Sequence, residues 1–143
     1  MAVFNARDGE WLAHLTAVAK KGATLRCERL VLAVRPPPDI DYCFAPLKHA
    51  RLDYVVQKAT ELGARRLRPV ITQRTIAERV NLDRMKANVV EAAEQCNLVF
   101  VPEVLEPVKL GKLLADWDPA RALIHCDETA AAASPLGTLQ RLT

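Results

Sequence analysis

Hydrophobic and polar residues follow three successive patterns in residues 44–76, and the rest of the chain extends or flanks this segment. Residues 44–47 are apolar and are followed by Lys48, which is typical of a buried strand ending at the edge of a parallel sheet. The next apolar residues recur at helical spacing, and Gly63 stands where a helix commonly ends. Leu67, Pro69, Val70 and Ile71 then form a second largely apolar run. This order predicts a βαβ unit with a right-handed crossover.

The N-terminal residues alternate between apolar and polar positions in short runs. Asp8-Gly9 and the Lys-Lys-Gly at residues 20–22 are turn signals, so residues 3–34 are predicted to form three short antiparallel strands. Residues 35–41, RPPPDID, predict a stiff extended linker, because consecutive prolines donate no backbone hydrogen bonds and disfavour helix. We therefore predict a β domain over residues 1–34 and an α/β domain over residues 42–143.

Within the α/β domain, Asn81 is a predicted N-cap for a helix that runs to Cys96. Its buried stripe is predicted to comprise Leu82, Met85, Val89, Ala92, Ala93 and Cys96. A third strand is predicted at residues 99–105, where Pro102 indicates an irregularity or a sheet edge. A helix through Leu110 and a fourth strand at residues 121–126 follow. The predicted fold class is α/β, with a parallel sheet preceded by a partial antiparallel segment.

Composition excludes several classes of protein. Half of the 143 residues are hydrophobic, which is typical of a globular chain with one domain or one domain plus part of another. The four widely separated cysteines predict neither a zinc site nor a disulfide framework, and we expect them to be reduced core residues of a cytosolic protein. No apolar run is long enough for a membrane span. The five glycines never cluster, so no dinucleotide or phosphate loop is predicted.

The charge is unevenly distributed, although the net charge is only +3. Residues 48–79 hold eight Lys and Arg and three acids, whereas residues 103–143 hold six acids and four Lys and Arg. The basic excess on the βαβ unit indicates a surface that faces phosphates. The alternative is an ordinary solvated helix face.

Three segments of this chain carry a resemblance to a known family: PLKHARLDYVVQKATELGARRLRPVITQRT, then EAAEQC, then VPEV. They resemble the RsmE family of ribosomal RNA uracil-N3 methyltransferases, members of the SPOUT class, over residues 44–106. The resemblance implies a PUA-like β-barrel followed by a knotted SPOUT methyltransferase domain. It also implies S-adenosylmethionine as cofactor, N3 of a uridine in small-subunit ribosomal RNA as target, a cytoplasmic location and, for a complete chain, a homodimer.

The family's first PUA-like strands and its glycine-rich, donor-binding knot segments have no counterpart between Met1 and Thr143. We therefore expect the chain to be a large fragment, with the main donor-binding loops beyond Thr143.

The resemblance also provides candidate site residues. Candidate RNA-binding residues are Lys48, Arg51, Arg74 and Gln95. The first two flank the strand-to-helix turn and suit phosphates, and Arg74 suits a phosphate or an unpaired base. For Gln95 we favour a structural role, and Asn97-Leu98 follows where the family has Gly-Arg. Candidate cofactor-binding residues are His125, Asp127 and Glu128, because they end the predicted fourth strand.

Two rival functions remain open at this stage. The chain is either a methyltransferase or a noncatalytic RNA-binding or assembly module that has the basic surface without the donor pocket. A metabolic α/β enzyme is disfavoured by the absent phosphate loop and the absent acid-base pair. No general base and no metal site are predicted.

Overall fold

The computed structural model of the chain describes residues 1–48, 50–75, 79–127, 129 and 134–140. The backbone divides into two compact units, Met1–Leu110 and Gly111–Thr143. The described strands and helices, in chain order, are β1 (Ala2–Asn5), β2 (Gly9–Ala19), β3 (Gly22–Leu32), β4 (Asp41–Phe44), α1 (Ala50–Glu61), β5 (Arg66–Ile71), α2 (Leu82–Gln95), β6 (Glu103–Val104), β7 (Val108–Lys109), α3 (Leu110–Ala115) and α4 (Leu136–Leu139).

Strands β1, β2 and β3 form an antiparallel sheet in that order, which confirms the three predicted strands. Gly9 pairs with Asn5 at the first turn and has a φ of +89°, in the left-handed region that favours glycine. A Cβ atom at Gly9 would lie 2.4 Å from the carbonyl oxygen of Leu32, so a larger residue does not fit there.

The second sheet is parallel in the strand order β4, β5, β6, and β7 also pairs with β5. Because α1 connects β4 to β5, the predicted βαβ unit is confirmed. The predicted strand at residues 44–47 is wrong, since the strand is Asp41–Phe44 and only Phe44 is shared. Pro46 has no N–H group for a ladder hydrogen bond, and β4 ends before it.

The core of the first unit lies between α1, α2 and β5. Its largest fully buried side chains include Val56 on α1, Leu67 on β5, and Met85 and Val89 on α2. The three helical residues belong to the apolar stripes that the helical spacing predicts, and Leu67 belongs to the predicted second strand. Hydrophobic burial therefore fixes both helices against one face of the sheet's central strand.

Local signals determine both ends of α2. The Oδ1 atom of Asn81 accepts a hydrogen bond of 3.0 Å from the backbone N–H of Arg84, which confirms the predicted N-cap. At the other end, Cys96 is the C-cap, and its side chain is exposed rather than part of the buried stripe.

The expectation that all four cysteines are core residues is wrong, because Cys27, Cys96 and Cys126 are exposed and Cys43 is only half-buried; all four are free thiols.

Two later strand predictions need correction. The strand predicted at residues 99–105 is reduced to β6, with residues 99–102 outside any strand. The strand predicted at residues 121–126 is absent, and Leu123 and Ile124 within it are more than half exposed. An apolar run becomes a strand only when a neighbouring strand accepts and donates its hydrogen bonds, and no described strand pairs with this run.

Candidate nucleic-acid interface

Two exposed cations lie at one edge of the parallel sheet. Strands β4 and β5 run side by side in the same direction, so their carboxyl ends meet at the same edge. Lys48 follows the end of β4, and Arg74 follows the end of β5. Both side chains are exposed. The structure therefore brings these two predicted residues to one edge, where ligands of open α/β sheets commonly bind.

Arg51 belongs to the same edge because it stands in the first turn of α1. Its backbone N–H donates a hydrogen bond of 3.2 Å to the carbonyl oxygen of Lys48, so the connection and the helix start form one turn. Arg51 is exposed. The ion pairs within the described part of the chain include none made by Lys48, Arg51 or Arg74. Three cations at this edge are thus available to an anionic partner.

A small hydrogen-bonded turn presents Arg74. The backbone N–H of Thr72 donates to Oγ1 of Thr75 at 2.8 Å, and the two threonine hydroxyls lie 3.1 Å apart. The N–H of Thr75 donates to the carbonyl oxygen of Thr72 at 3.2 Å, and the N–H of Arg74 donates to Thr72 Oγ1 at 3.3 Å. These bonds hold the backbone on both sides of Arg74, while its guanidinium remains in solvent.

Other basic residues of the βαβ unit are neutralised by acids. Arg66 binds Asp39 and Asp41, and Arg68 Nη2 lies 3.1 Å from Asp41 Oδ2. Arg65 Nη1 lies 3.7 Å from Asp39 Oδ1. Burial lowers the pKa of Arg66, but the hydrogen bonds and charges of the two carboxylates outweigh it and raise that pKa. The excess of positive charge on this surface is therefore smaller than the count of Lys and Arg indicates, because the carboxylates of Asp39 and Asp41 balance much of it.

Lys58 is engaged on the outer face of α1. Its ammonium lies 2.7 Å from Glu61 Oε2, one turn along the helix, and 5.7 Å from the centroid of the Tyr54 ring. The hydrogen bond that Lys58 donates to Glu61 raises the pKa of Lys58. Tyr54, which the sequence patterns did not single out, is 61% exposed.

Gln95 lies away from the three cations. Arg84 in the first turn of α2 binds Asp53 in the first turn of α1, with Nη2 and Oδ2 2.6 Å apart, so the two helices start side by side. Gln95 is the last residue of α2, about 16 Å farther along the helix at 1.5 Å per residue. It is exposed, near the end of α2 that leads towards β6. The structure therefore does not bring Gln95 together with Lys48, Arg51 and Arg74.

The predicted cofactor residues belong to the second unit, where His125 and Asp127 are both exposed. Asp127 Oδ1 accepts hydrogen bonds from the backbone N–H of Thr129 at 2.9 Å and from its hydroxyl at 2.8 Å. These bonds, the backbone one first, lower the pKa of Asp127. Glu128 lies outside the described residues. Asp127 is thus a charged acceptor at neutral pH, held in a short local turn.

Two further findings concern the described residues as a whole. They contain no cluster of three or more His, Cys, Asp or Glu side chains placed to hold a metal ion. Of the helices in the described ranges, none has the length and apolar character needed to cross a membrane.

Comparison with known protein families identifies the domain. The RNA methyltransferase domain family matches residues 35–142. The chain belongs to this family. The match includes the βαβ unit, α2 and the whole segment that holds His125 and Asp127.

Individual relatives agree with the family. The chain is 27% identical over 114 residues to ribosomal RNA small subunit methyltransferase E of Rickettsia conorii, covering 80% of this chain and 47% of the relative. The structure of Legionella pneumophila Lpg2936, described as a methyltransferase with bound cofactor SAM, is 25% identical with a TM-score of 0.72, covering 81% of this chain and 51% of that one.

A third comparison confirms the fold. Ribosomal RNA small subunit methyltransferase E of Neisseria gonorrhoeae, bound to S-adenosyl methionine, is 24% identical with a TM-score of 0.71, covering 83% of this chain and 52% of that one. The predicted fold class is therefore confirmed as the SPOUT type, with an antiparallel segment before the parallel sheet. The chain spans about half the length of these relatives.

Proposed function

We propose that the chain is part of a methyltransferase that transfers the methyl group of S-adenosylmethionine to N3 of a uridine in small-subunit ribosomal RNA. The observation that carries this proposal is the family match over residues 35–142, joined to the three exposed cations at the sheet edge. A ribosomal RNA substrate supplies the phosphates that such cations bind. From the resemblance to the RsmE family, we also propose that the complete enzyme works in the cytoplasm as a homodimer.

In this proposal Lys48, Arg51 and Arg74 hold the RNA. Lys48 and Arg51 flank one turn and bind neighbouring phosphates, while the planar guanidinium of Arg74 binds a phosphate or the uracil. N3 of uracil carries a proton on the Watson–Crick edge, so the target base must be unpaired and must lose that proton. A nearby guanidinium stabilises the negative charge that develops on the uracil ring.

The second unit offers groups that fit the methyl donor. Asp127 is an exposed carboxylate acceptor for ribose hydroxyls, and Leu123 and Ile124 next to His125 are exposed apolar side chains suited to an adenine ring. His125 and Asp127 therefore remain our proposed donor-binding residues, together with Glu128. The bound donor supplies an electrophilic methyl group on a sulfonium.

The second candidate function is a noncatalytic RNA-binding or assembly module. The specific observation in its favour is that the three cations lie in the unit Met1–Leu110, whereas the proposed donor residues lie in the unit Gly111–Thr143. RNA binding through the first unit therefore does not depend on residues proposed to bind the donor.

Three measurements on the same chain separate these candidates: donor binding, methyl transfer, and RNA binding at several salt concentrations. Isothermal titration calorimetry with S-adenosylmethionine tests donor binding, and incubation with radiolabelled donor and small-subunit ribosomal RNA, followed by nucleoside analysis, tests transfer. Radiolabelled N3-methyluridine supports the methyltransferase. Label in another nucleoside contradicts the N3 assignment. Salt-dependent RNA binding without donor binding or transfer supports the noncatalytic module.

A further inference from the structure

The outer face of α1 carries an aromatic side chain that packing does not explain. Val56, Ala59 and Thr60 are buried against the core. At 100° per residue, Tyr54 points to the opposite side of the helix, and it is 61% exposed. Tyrosine forms helices less readily than alanine, lysine or glutamate, so helix stability does not favour it at a solvated position either.

Positive charge surrounds this ring. Arg51 precedes Tyr54 by three residues, which places the two side chains on neighbouring turns of one face, and Lys48 is joined to Arg51 through a backbone hydrogen bond of 3.2 Å. On the other side, the ammonium of Lys58 lies 5.7 Å from the ring centroid. The first turns of α1 therefore present an aromatic ring among cations.

The acids near this face are already engaged. Glu61 binds Lys58, with Oε2 2.7 Å from the ammonium, and Asp53 binds Arg84 and Asn88 on α2. Lys48 and Arg51 make none of the ion pairs found within the described ranges. The face thus complements a partner with negative charge and flat apolar rings, which is the chemistry of single-stranded RNA.

We propose that Tyr54 is a stacking platform for an unpaired base of the bound RNA, with Lys48 and Arg51 on the adjoining phosphates. This inference rests on the proposed function and extends the RNA surface from the sheet edge onto the outer face of α1. It assigns to Tyr54 the part of the affinity that does not depend on salt. Lys48 and Arg51 supply the salt-dependent part.

The test is fluorescence anisotropy of a labelled, unstructured oligouridine with the whole chain at several salt concentrations. Tyr54→Ala is expected to weaken binding about tenfold without changing the slope of log K against log salt, because a stacked base contributes without releasing counterions. Tyr54→Phe is expected to retain affinity within about twofold, because it keeps the ring. Lys48→Gln and Arg51→Gln are each expected to reduce the slope by about 0.7, the value for one phosphate of a single strand.

Two controls keep the result interpretable. Tyr54→Leu keeps an apolar side chain without a ring and is expected to lose as much affinity as Tyr54→Ala. Leu62→Ala changes a side chain that is 85% exposed just beyond the end of α1, and it is expected to bind RNA as the unchanged chain does. Circular dichroism of each variant checks that α1 is retained.

Each other outcome overturns the inference. Salt-dependent RNA binding that is unaffected by Tyr54→Ala rejects the platform and leaves the proposed function standing. If Tyr54→Ala instead shifts the sedimentation coefficient with unchanged RNA affinity, the face is a protein contact and the RNA assignment is wrong. If the unchanged chain binds no RNA at any salt concentration, the platform and the proposed RNA substrate are both rejected.

Discussion

Arg84 on α2 binds Asp53 on α1 through two hydrogen bonds, from Nε to Oδ1 at 3.0 Å and from Nη2 to Oδ2 at 2.6 Å. Asn88, one turn farther along α2, donates to the same carboxylate at 2.7 Å. The hydrogen bonds that Arg84 donates to Asp53 raise the pKa of Arg84, so its guanidinium stays charged at neutral pH. This contact aligns the first turns of the two helices, and one of those turns carries Arg51.

Because Asp53 accepts from two side chains, Asp53→Ala is expected to lower the melting temperature more than Arg84→Ala does. The aspartate substitution leaves both donors without this acceptor, whereas the arginine substitution retains the bond from Asn88. Thermal unfolding followed by circular dichroism measures the difference. Glu91→Ala, an exposed acidic position on α2, is the control for removal of a carboxylate. Equal melting temperatures for Asp53→Ala and Glu91→Ala would show that the contact adds no stability.

Gly9→Ala is expected to destabilise the chain by about 1–3 kcal/mol, because alanine is strained at a φ of +89° and its Cβ would lie 2.4 Å from a backbone oxygen. The matched control is Gly22→Ala at the next turn, where an added Cβ meets nothing within 4 Å. That control is expected to change the free energy of unfolding by less than about 0.5 kcal/mol. Urea denaturation of both variants provides the comparison, and equal stabilities would contradict the strain argument.

The parts of the fold that were predicted correctly are those determined by local sequence. Asn81 caps α2 through a bond to a residue three positions later, and Gly63 ends α1 with a φ of +86°. Both signals act over a few residues, so they are visible in the sequence. The strand predicted at residues 121–126 has no such local cause, because its formation depends on a neighbouring strand elsewhere in the chain.

The candidate site was predictable to a similar extent. Lys48 and Arg74 lie at one sheet edge because each follows one of two parallel strands, and the sequence pattern predicts the βαβ unit that contains both strands. The pairing of Arg66 with Asp41 is not visible in the local sequence, because the partners are 25 positions apart. Tyr54 is hidden in the sequence for another reason: an aromatic residue in a helix is usually part of the core, and only the structure shows that Tyr54 is exposed.

Asp127 offers a prediction on pH. The hydrogen bonds from Thr129 lower the pKa of Asp127 below its ordinary value of about 3.9. A group with a lowered pKa favours the turn above the ordinary pKa, and this contribution is lost as the pH falls through the lowered value. Thr129→Val is expected to raise the pKa of Asp127 by removing the hydroxyl bond while keeping the backbone bond. The change in the pKa of Asp127 is measured from carboxyl carbon chemical shifts across an acid titration, with Asp118 as the internal reference. An unchanged Asp127 titration would contradict the assignment.

Arg74 and Arg68 provide a matched pair for the RNA surface, since both are arginines at or just after β5. Arg74 makes none of the ion pairs found among the described residues, whereas Arg68 lies 3.1 Å from Asp41. Arg74→Gln is therefore expected to weaken oligouridine binding and to reduce the salt slope by about 0.7. Arg68→Gln is expected to leave that slope unchanged, because its charge is already balanced by a carboxylate. Equal salt slopes for the two variants would contradict the prediction that Arg74, and not Arg68, contacts an RNA phosphate.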